Sequence, residues 1–204
     1  MIVSAVFGSV LFACLASAAT IAAGLVTQNV TPFDDGPPPG RPPSAILIVA
    51  ATAIGAVLGL HGLTTADLAA AAFGTAFLVA CWCADVRAGI VPDLFTLLPL
   101  GAILATQLAH GAFPILLSVL VPALPFAAGA LLSKGRGIGW GDVKLAALGG
   151  AMVGLTDAIV AMGFASLVCG LSAKFVAKRG GAVAFAPFLT GAIGLALVLR
   201  VVLA

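Results

Sequence analysis

Charge is what this chain most lacks. Only 8% of its 204 residues are Asp, Glu, Lys or Arg, against about 25% in a typical soluble domain. With 62% hydrophobic residues and a mean hydropathy of +1.26, the chain cannot cover a globule with polar surface, so its solvent is lipid. The net charge of +2 comes without a basic stripe or aromatic interleaving, which excludes nucleic acid as a partner. The two histidines, His61 and His110, do not make a His-Glu-x-x-His pair, which excludes the zinc chemistry of that motif. Four cysteines are present, Cys14, Cys81, Cys83 and Cys169, with no Cys-x-x-Cys among them. All fall in apolar stretches and read as small hydrophobes rather than zinc ligands or a disulfide framework. Tyrosine is absent altogether.

What the chain does have is long apolar runs. Segments of spanning or near-spanning length lie at 2–26, 45–62, 67–84, 94–109, 112–132, 143–155, 157–176 and 183–204. The fold class expected is therefore all-α, a polytopic membrane protein of about eight transmembrane helices. The first run has no basic start and continues to about Val26, so it reads as a retained span rather than a signal peptide. The sixth, 143–155, crosses only if its helix takes in Trp140 to Asp142 or the bilayer is locally thin. Connections at 62–66, 110–111 and 156 are tight and alternate with longer loops at 27–44, 85–93, 133–142 and 177–182. The run Thr31 to Pro43 is too proline-rich for a helix and reads as an extended connector. A docking surface for a cationic partner, built on Asp34 and Asp35, is its alternative.

The cations divide unevenly over this layout. Arg41, Arg87, Lys134, Arg136, Lys144, Lys174, Lys178 and Arg179 belong to the side of the longer loops, and Arg200 alone lies towards the other. The positive-inside rule makes the first side cytoplasmic, so both chain ends are expected outside.

Two carboxylates stand out against this background. Asp85 lies at the end of the third apolar run, in Asp85-Val86-Arg87-Ala88-Gly89-Ile90-Val91-Pro92-Asp93, and Asp142 opens the sixth, in Gly139-Trp140-Gly141-Asp142-Val143-Lys144-Leu145. An ionisable group at membrane depth is costly and marks a functional site by default. Two carboxyls brought together cannot both ionise, so one takes a proton from water while the other polarises a carbonyl. The glycines before Asp142 suit close backbone approach where a substrate strand must pass. Taken singly, each aspartate is equally well read as a helix cap, and Asp85 as an ion-pair partner of Arg87.

Together the motifs are more specific. Gly139-Trp140-Gly141-Asp142-Val143-Lys144-Leu145 resembles the Gly-x-Gly-Asp-x-Lys-Leu signature of the type IV prepilin peptidases. Asp85-Val86-Arg87 to Val91-Pro92-Asp93 resembles that family's Asp-x-Arg and Ile-Pro-Asn motif, and Ala184-Phe185-Ala186-Pro187-Phe188-Leu189 is similar to its Pro-Phe-Gly-Pro-Phe segment. The resemblance covers about residues 66 to 190 and implies a catalytic core over 66–176, preceded by N-terminal spans over 1–65 and followed by a loop and last span over 177–204. It implies an aspartic endopeptidase with Asp85 and Asp142 catalytic and Gly139, Gly141, Lys144, Arg87 and Pro92 binding or supporting. On this reading Arg87 and Lys144 orient the aspartates or anchor lipid phosphates; a purely structural role is the alternative for both, and the one favoured. The partner implied is a prepilin or pseudopilin with a basic leader and a hydrophobic helix, cleaved at the cytoplasmic face of the bacterial inner membrane.

This sequence departs from the family pattern at three places. Asp93 stands where asparagine is usual and is a rival to Asp85; Ala184 and Ala186 replace a proline and a glycine, and no role is carried onto them. Larger family members have a zinc-binding insert with paired cysteines, linked to methylation of the product. Loop 27–44 has no cysteine and no glycine-rich cofactor turn, so the chain resembles the short peptidase-only branch, including those of Flp (tight-adherence) pili, with neither metal nor cofactor expected. Presenilin-like proteases share Gly-x-Gly-Asp, but their first aspartate follows a tyrosine. Their Pro-Ala-Leu motif also follows the second aspartate, whereas Pro122-Ala123-Leu124 precedes Asp142. The main non-enzyme alternative is a small transporter or proton pathway with Asp85 and Asp142 as relay groups. It expects charged groups deep in several spans, where this chain has only Arg200.

The charge map generates a topology prediction. Cysteine-accessibility labelling is expected to find loops 133–142 and 177–182 cytoplasmic and Ala204 external; a cytoplasmic Ala204 would remove one span from the layout.

Overall fold

A backbone surrounded by lipid has to satisfy its own N–H and C=O groups, which for segments of this composition leaves the helix. The computed structural model describes residues 2–28, 30, 40–133, 138–177 and 183–203. Over these it is all-α, with eight helices: α1 (Ile2–Thr27), α2 (Ser44–Leu60), α3 (Thr65–Ala88), α4 (Asp93–Ala109), α5 (Ile115–Leu132), α6 (Trp140–Val153), α7 (Leu155–Ala177) and α8 (Ala186–Val202). Four, α1, α3, α5 and α7, are long and apolar enough to cross a membrane. Helices α2, α4 and α8 have 17 residues each, about 26 Å at 1.5 Å per residue, a little short of a hydrocarbon core of about 30 Å. Asp34 and Asp35, most of the proline run, and Lys134, Arg136, Lys178 and Arg179 lie outside the described residues.

Element bounds differ from expectation where capping chemistry intervenes. Helix α3 runs past Asp85 to Ala88, so this aspartate sits inside the last helical turn rather than after it. Helix α6 does begin at Trp140, taking Asp142 into its first turn. The fifth helix starts at Ile115 rather than 112, because Gly111 takes a left-handed φ of +74° and Pro114 precedes the first turn. Between α6 and α7 the whole connection is Gly154, whose φ of +84° reverses the chain in one residue.

Helices in lipid gain little from burying apolar surface, so small residues that let backbones touch decide where they cross. Helices α1 and α2 meet at Gly8 and Gly55: a Cβ on Gly55 would lie 2.4 Å from the Gly8 carbonyl oxygen. Helices α5 and α6 meet at Gly150, where a Cβ would fall 1.8 Å from the Ser118 carbonyl oxygen. Helix α6 is the central element, packed against α4, α5, α7 and α8, with nine of its 14 residues buried. Its far end is capped by Arg200, whose Nη1 donates to the Val153 carbonyl at 3.2 Å. That contact gives Arg200 a local reason for its place in an apolar helix, since a helix C-terminus favours positive charge. His61 and His110, C-capping α2 and α4 and exposed, sit at that same far end.

The α5–α6 crossing has a direct test. Gly150→Leu should lower the detergent-solubilised protein's melting temperature, a loss of about 1–3 kcal/mol or more from overpacking. Gly101→Leu, on an open face of α4 with nothing within 4 Å, should leave it unchanged. Equal melting of the two variants would mean the backbones do not touch there.

Candidate active site

The ends of α3 and α7 and the starts of α4, α6 and α8 gather at one end of the bundle. Asp85 enters from α3, which Gly89 closes in the left-handed region (φ +65°), its N–H donating to the Asp85 carbonyl at 2.8 Å. That conformation suits glycine. It turns the chain so that Val91 comes back over α6: a Cβ on Gly141 would lie 2.9 Å from the Cβ of Val91. The close approach expected of the motif's glycines is thus made at Gly141, by this chain's own loop. Gly139 meets no such wall; the nearest atom to a Cβ there is Asp142 Oδ2, at an ordinary 3.7 Å.

Asp142 is the third residue of α6, and its Oδ2 accepts the Gly139 N–H at 2.9 Å. This is the carboxylate half of a capping box, so the helix-cap reading of Asp142 is correct as far as it goes. Asp85 is held the same way from a distant part of the chain. Its Oδ2 accepts the Ala186 N–H at 3.1 Å, at the first residue of α8. Both carboxyls therefore lie on backbone amides at helix N-termini, which favour negative charge. They are 7% and 9% exposed and are the buried charged residues among those described, close enough for the charge of Asp142 to act on Asp85.

The cations of the motifs point elsewhere. Arg87 packs on α1, with Nη1 2.9 Å from where a Cβ on Gly24 would stand, so it is not the local ion-pair partner of Asp85. Lys144 forms an ion pair with Asp93. Asp93 is itself exposed, opening α4 after Pro92, which separates this rival carboxylate from the buried pair. Pro92 precedes the first turn of α4 in extended backbone, its carbonyl accepting the Phe95 N–H at 3.0 Å. Among the described residues no ion pair reaches Asp85 or Asp142, and no cluster of three or more His, Cys, Asp or Glu side chains forms.

Two neighbours of the pair escaped the sequence reading. The side chain of Ala186 departs from the family pattern, yet its backbone N–H holds Asp85. Pro187 was the available signal, since proline in the first turn marks a helix start whose amides are free. Cys169 of α7, read as a simple hydrophobe, lies within electrostatic reach of both aspartates; nothing in the sequence signals that.

The chain matches the family model described as the type IV leader peptidase family over residues 72–173, half its length. It belongs to that family, and so is a peptidase carried on a helical membrane protein. The match includes Asp85, Pro92, Asp93 and the Gly139–Lys144 motif and stops short of Ala184–Leu189. No curated protein matches the chain, and no solved structure does.

Proposed function

We propose that this protein is an aspartic endopeptidase that removes the basic leader from prepilin or pseudopilin substrates, with Asp85 and Asp142 as its catalytic pair. One observation carries the reading. The two buried carboxyls among the described residues are more than 50 residues apart in the sequence, meet at one end of the bundle, and are each bound through one oxygen by a backbone amide rather than by a cation.

Such a pair has the parts that peptide hydrolysis requires. With one proton shared between them, the ionised carboxylate takes a proton from water as the water oxygen attacks the scissile carbonyl carbon. The protonated partner donates to the carbonyl oxygen as it gains charge. The tetrahedral intermediate then collapses: its C–N bond breaks, the nitrogen takes a proton from the site, and the leader leaves with a free carboxyl group. Gly139 caps α6 and Gly141 lies in its first turn beside Asp142, Pro92 and the Lys144–Asp93 pair fix the neighbouring turn, and Arg87 anchors α3 to α1.

The finer topology follows as part of the same proposal. All eight helices cross the bacterial inner membrane, with both chain ends outside and the aspartates at the cytoplasmic edge, where a prepilin's helix enters the bilayer. Residues 66–176 are the catalytic core. The chain represents the peptidase-only branch and serves Flp-type or related pili.

Two experiments test this. In cells co-expressing a prepilin, Asp85→Asn and Asp142→Asn should each abolish the size shift of leader removal at near-normal abundance. The double variant should be little worse than either single one, because the groups act as a unit. Asp93→Asn should retain activity; processing by Asp85→Asn together with loss in Asp93→Asn would reassign the first carboxylate, and full activity in Asp142→Asn would end the proposal. Separately, product made with S-adenosylmethionine present should show no added methyl by mass spectrometry, and a methyl would sink the peptidase-only assignment.

A further inference from the structure

A cavity of about 310 Å³ opens between α5 and α7, lined by Pro122, Pro125 and Phe126 on α5, by Ile138, and by Gly163 and Ser166 on α7, among others. The side chains around it are overwhelmingly apolar. Pro122 and Pro125 each remove a helical N–H and interrupt α5 at this level, and nothing stands within 4 Å of a Cβ built on Gly163. An engineered apolar cavity of about 150 Å³ takes one benzene ring, so this one has room for two large side chains.

Its position is what gives it meaning. Ile138 immediately precedes Gly139, whose N–H holds Asp142. Phe126 lies against Phe185, ring centroids 5.7 Å apart, and Phe185 immediately precedes Ala186, whose N–H holds Asp85. One wall residue, Ile138, thus adjoins the amide that holds Asp142, and another, Phe126, packs on the residue that adjoins the amide holding Asp85. The α7 wall continues by helical spacing from Gly163 and Ser166 to Cys169, which is within electrostatic reach of both carboxyls. Helix α7 is also the barest of the long helices, with 22% of its span buried against 56% for α3, so a further helix has room to approach it.

We infer that this cavity is the seat of the substrate's apolar helix, which lies along α7, lodges two large side chains between α5 and α7, and presents the peptide bond at its polar end to Asp85 and Asp142. The occupant is a helix because a single segment carries a satisfied backbone through lipid as a helix; it is the substrate's because Ile138 of the cavity wall adjoins Gly139, whose N–H holds Asp142. The inference rests on the leader-peptidase reading and adds to it the route by which the substrate is held.

The test uses the full-length membrane protein and, as probe, a co-expressed chain with a basic leader, a glycine and an apolar helix. A photo-crosslinking p-benzoylphenylalanine is installed at Ile159, which also lines the cavity, in the Asp142→Asn background so that uncleaved probe accumulates. The expected result is an adduct on the apolar helix of the probe, absent when the crosslinker is moved to Leu97 on α4. Adducts with phospholipid only, no adduct, or equal adducts from both positions would overturn the inference. Filling the cavity by Gly163→Leu in the otherwise native protein should slow leader removal roughly tenfold or more, as misplacement of a bound substrate does, while Gly101→Leu should not. If that variant fails to fold, the crosslink alone decides. A lost crosslink with the aspartate variants still inactive would remove the groove and leave the proposed chemistry standing; a wild-type protein that leaves the probe uncleaved would remove both.

Discussion

The hydrogen bonds from Gly139 and Ala186 to Asp142 and Asp85 are the constraint on which the rest of the structure turns. An isolated carboxylate in an apolar bundle costs several kcal/mol or more, and the usual remedy is a cation beside it. A cation would also tie up the oxygens that the proposed chemistry needs. A backbone amide at a helix N-terminus offers a hydrogen bond to a charged group, worth about 1.5–3 kcal/mol, and occupies one oxygen. Both described bonds use Oδ2, and no hydrogen bond among the described residues uses Oδ1 of either aspartate. The pair is made tolerable without being neutralised.

Holding two helix N-termini against one pair of carboxyls dictates much of the packing. Helices α6 and α8 must both start at the level where α3 ends, and they contact one another as well as α3 or its neighbours. Helix α6 is only 14 residues long, about 21 Å, and its other end meets Arg200 rather than a long exit loop. Its sides are fixed by the Gly150 crossing with α5. A short buried helix pinned at both ends and along one side holds Asp142 with little freedom, as the proposed paired-acid site demands.

How much of this the sequence carried varies with the physics behind each feature. Helix number and order follow from apolar length and glycine or proline turns, which are local, so all eight segments were legible to within a few residues. Asp85 and Asp142 were legible because a carboxylate in an apolar stretch is conspicuous. Their backbone partners were less so: Ala186 lies 101 residues from Asp85, and an amide donor leaves no mark on side-chain chemistry. Arg87 and Lys144 show the same limit in reverse. Cations two residues beyond each aspartate suggest partners, but helical spacing sends Arg87 towards α1 and Lys144 towards Asp93.

A site held by main-chain donors also tolerates side-chain drift that would otherwise argue against it. The Ala186 N–H is donated whatever the side chain, provided the residue is not proline, so replacing the family's glycine by alanine leaves the bond to Asp85 intact. The aspartate at position 93 is equally accommodated. Its charge is met by Lys144 at the surface, where an ion pair is worth at most about 1 kcal/mol, so little stability hangs on whether the residue is acidic or an amide. What the pair does contribute is alignment, joining the start of α4 to the first turn of α6 beside the Val91–Gly141 contact. The departures at Ala186 and Asp93 thus fall where the backbone or the solvent carries the load, and the two positions at which the proposed chemistry needs a carboxylate both hold one.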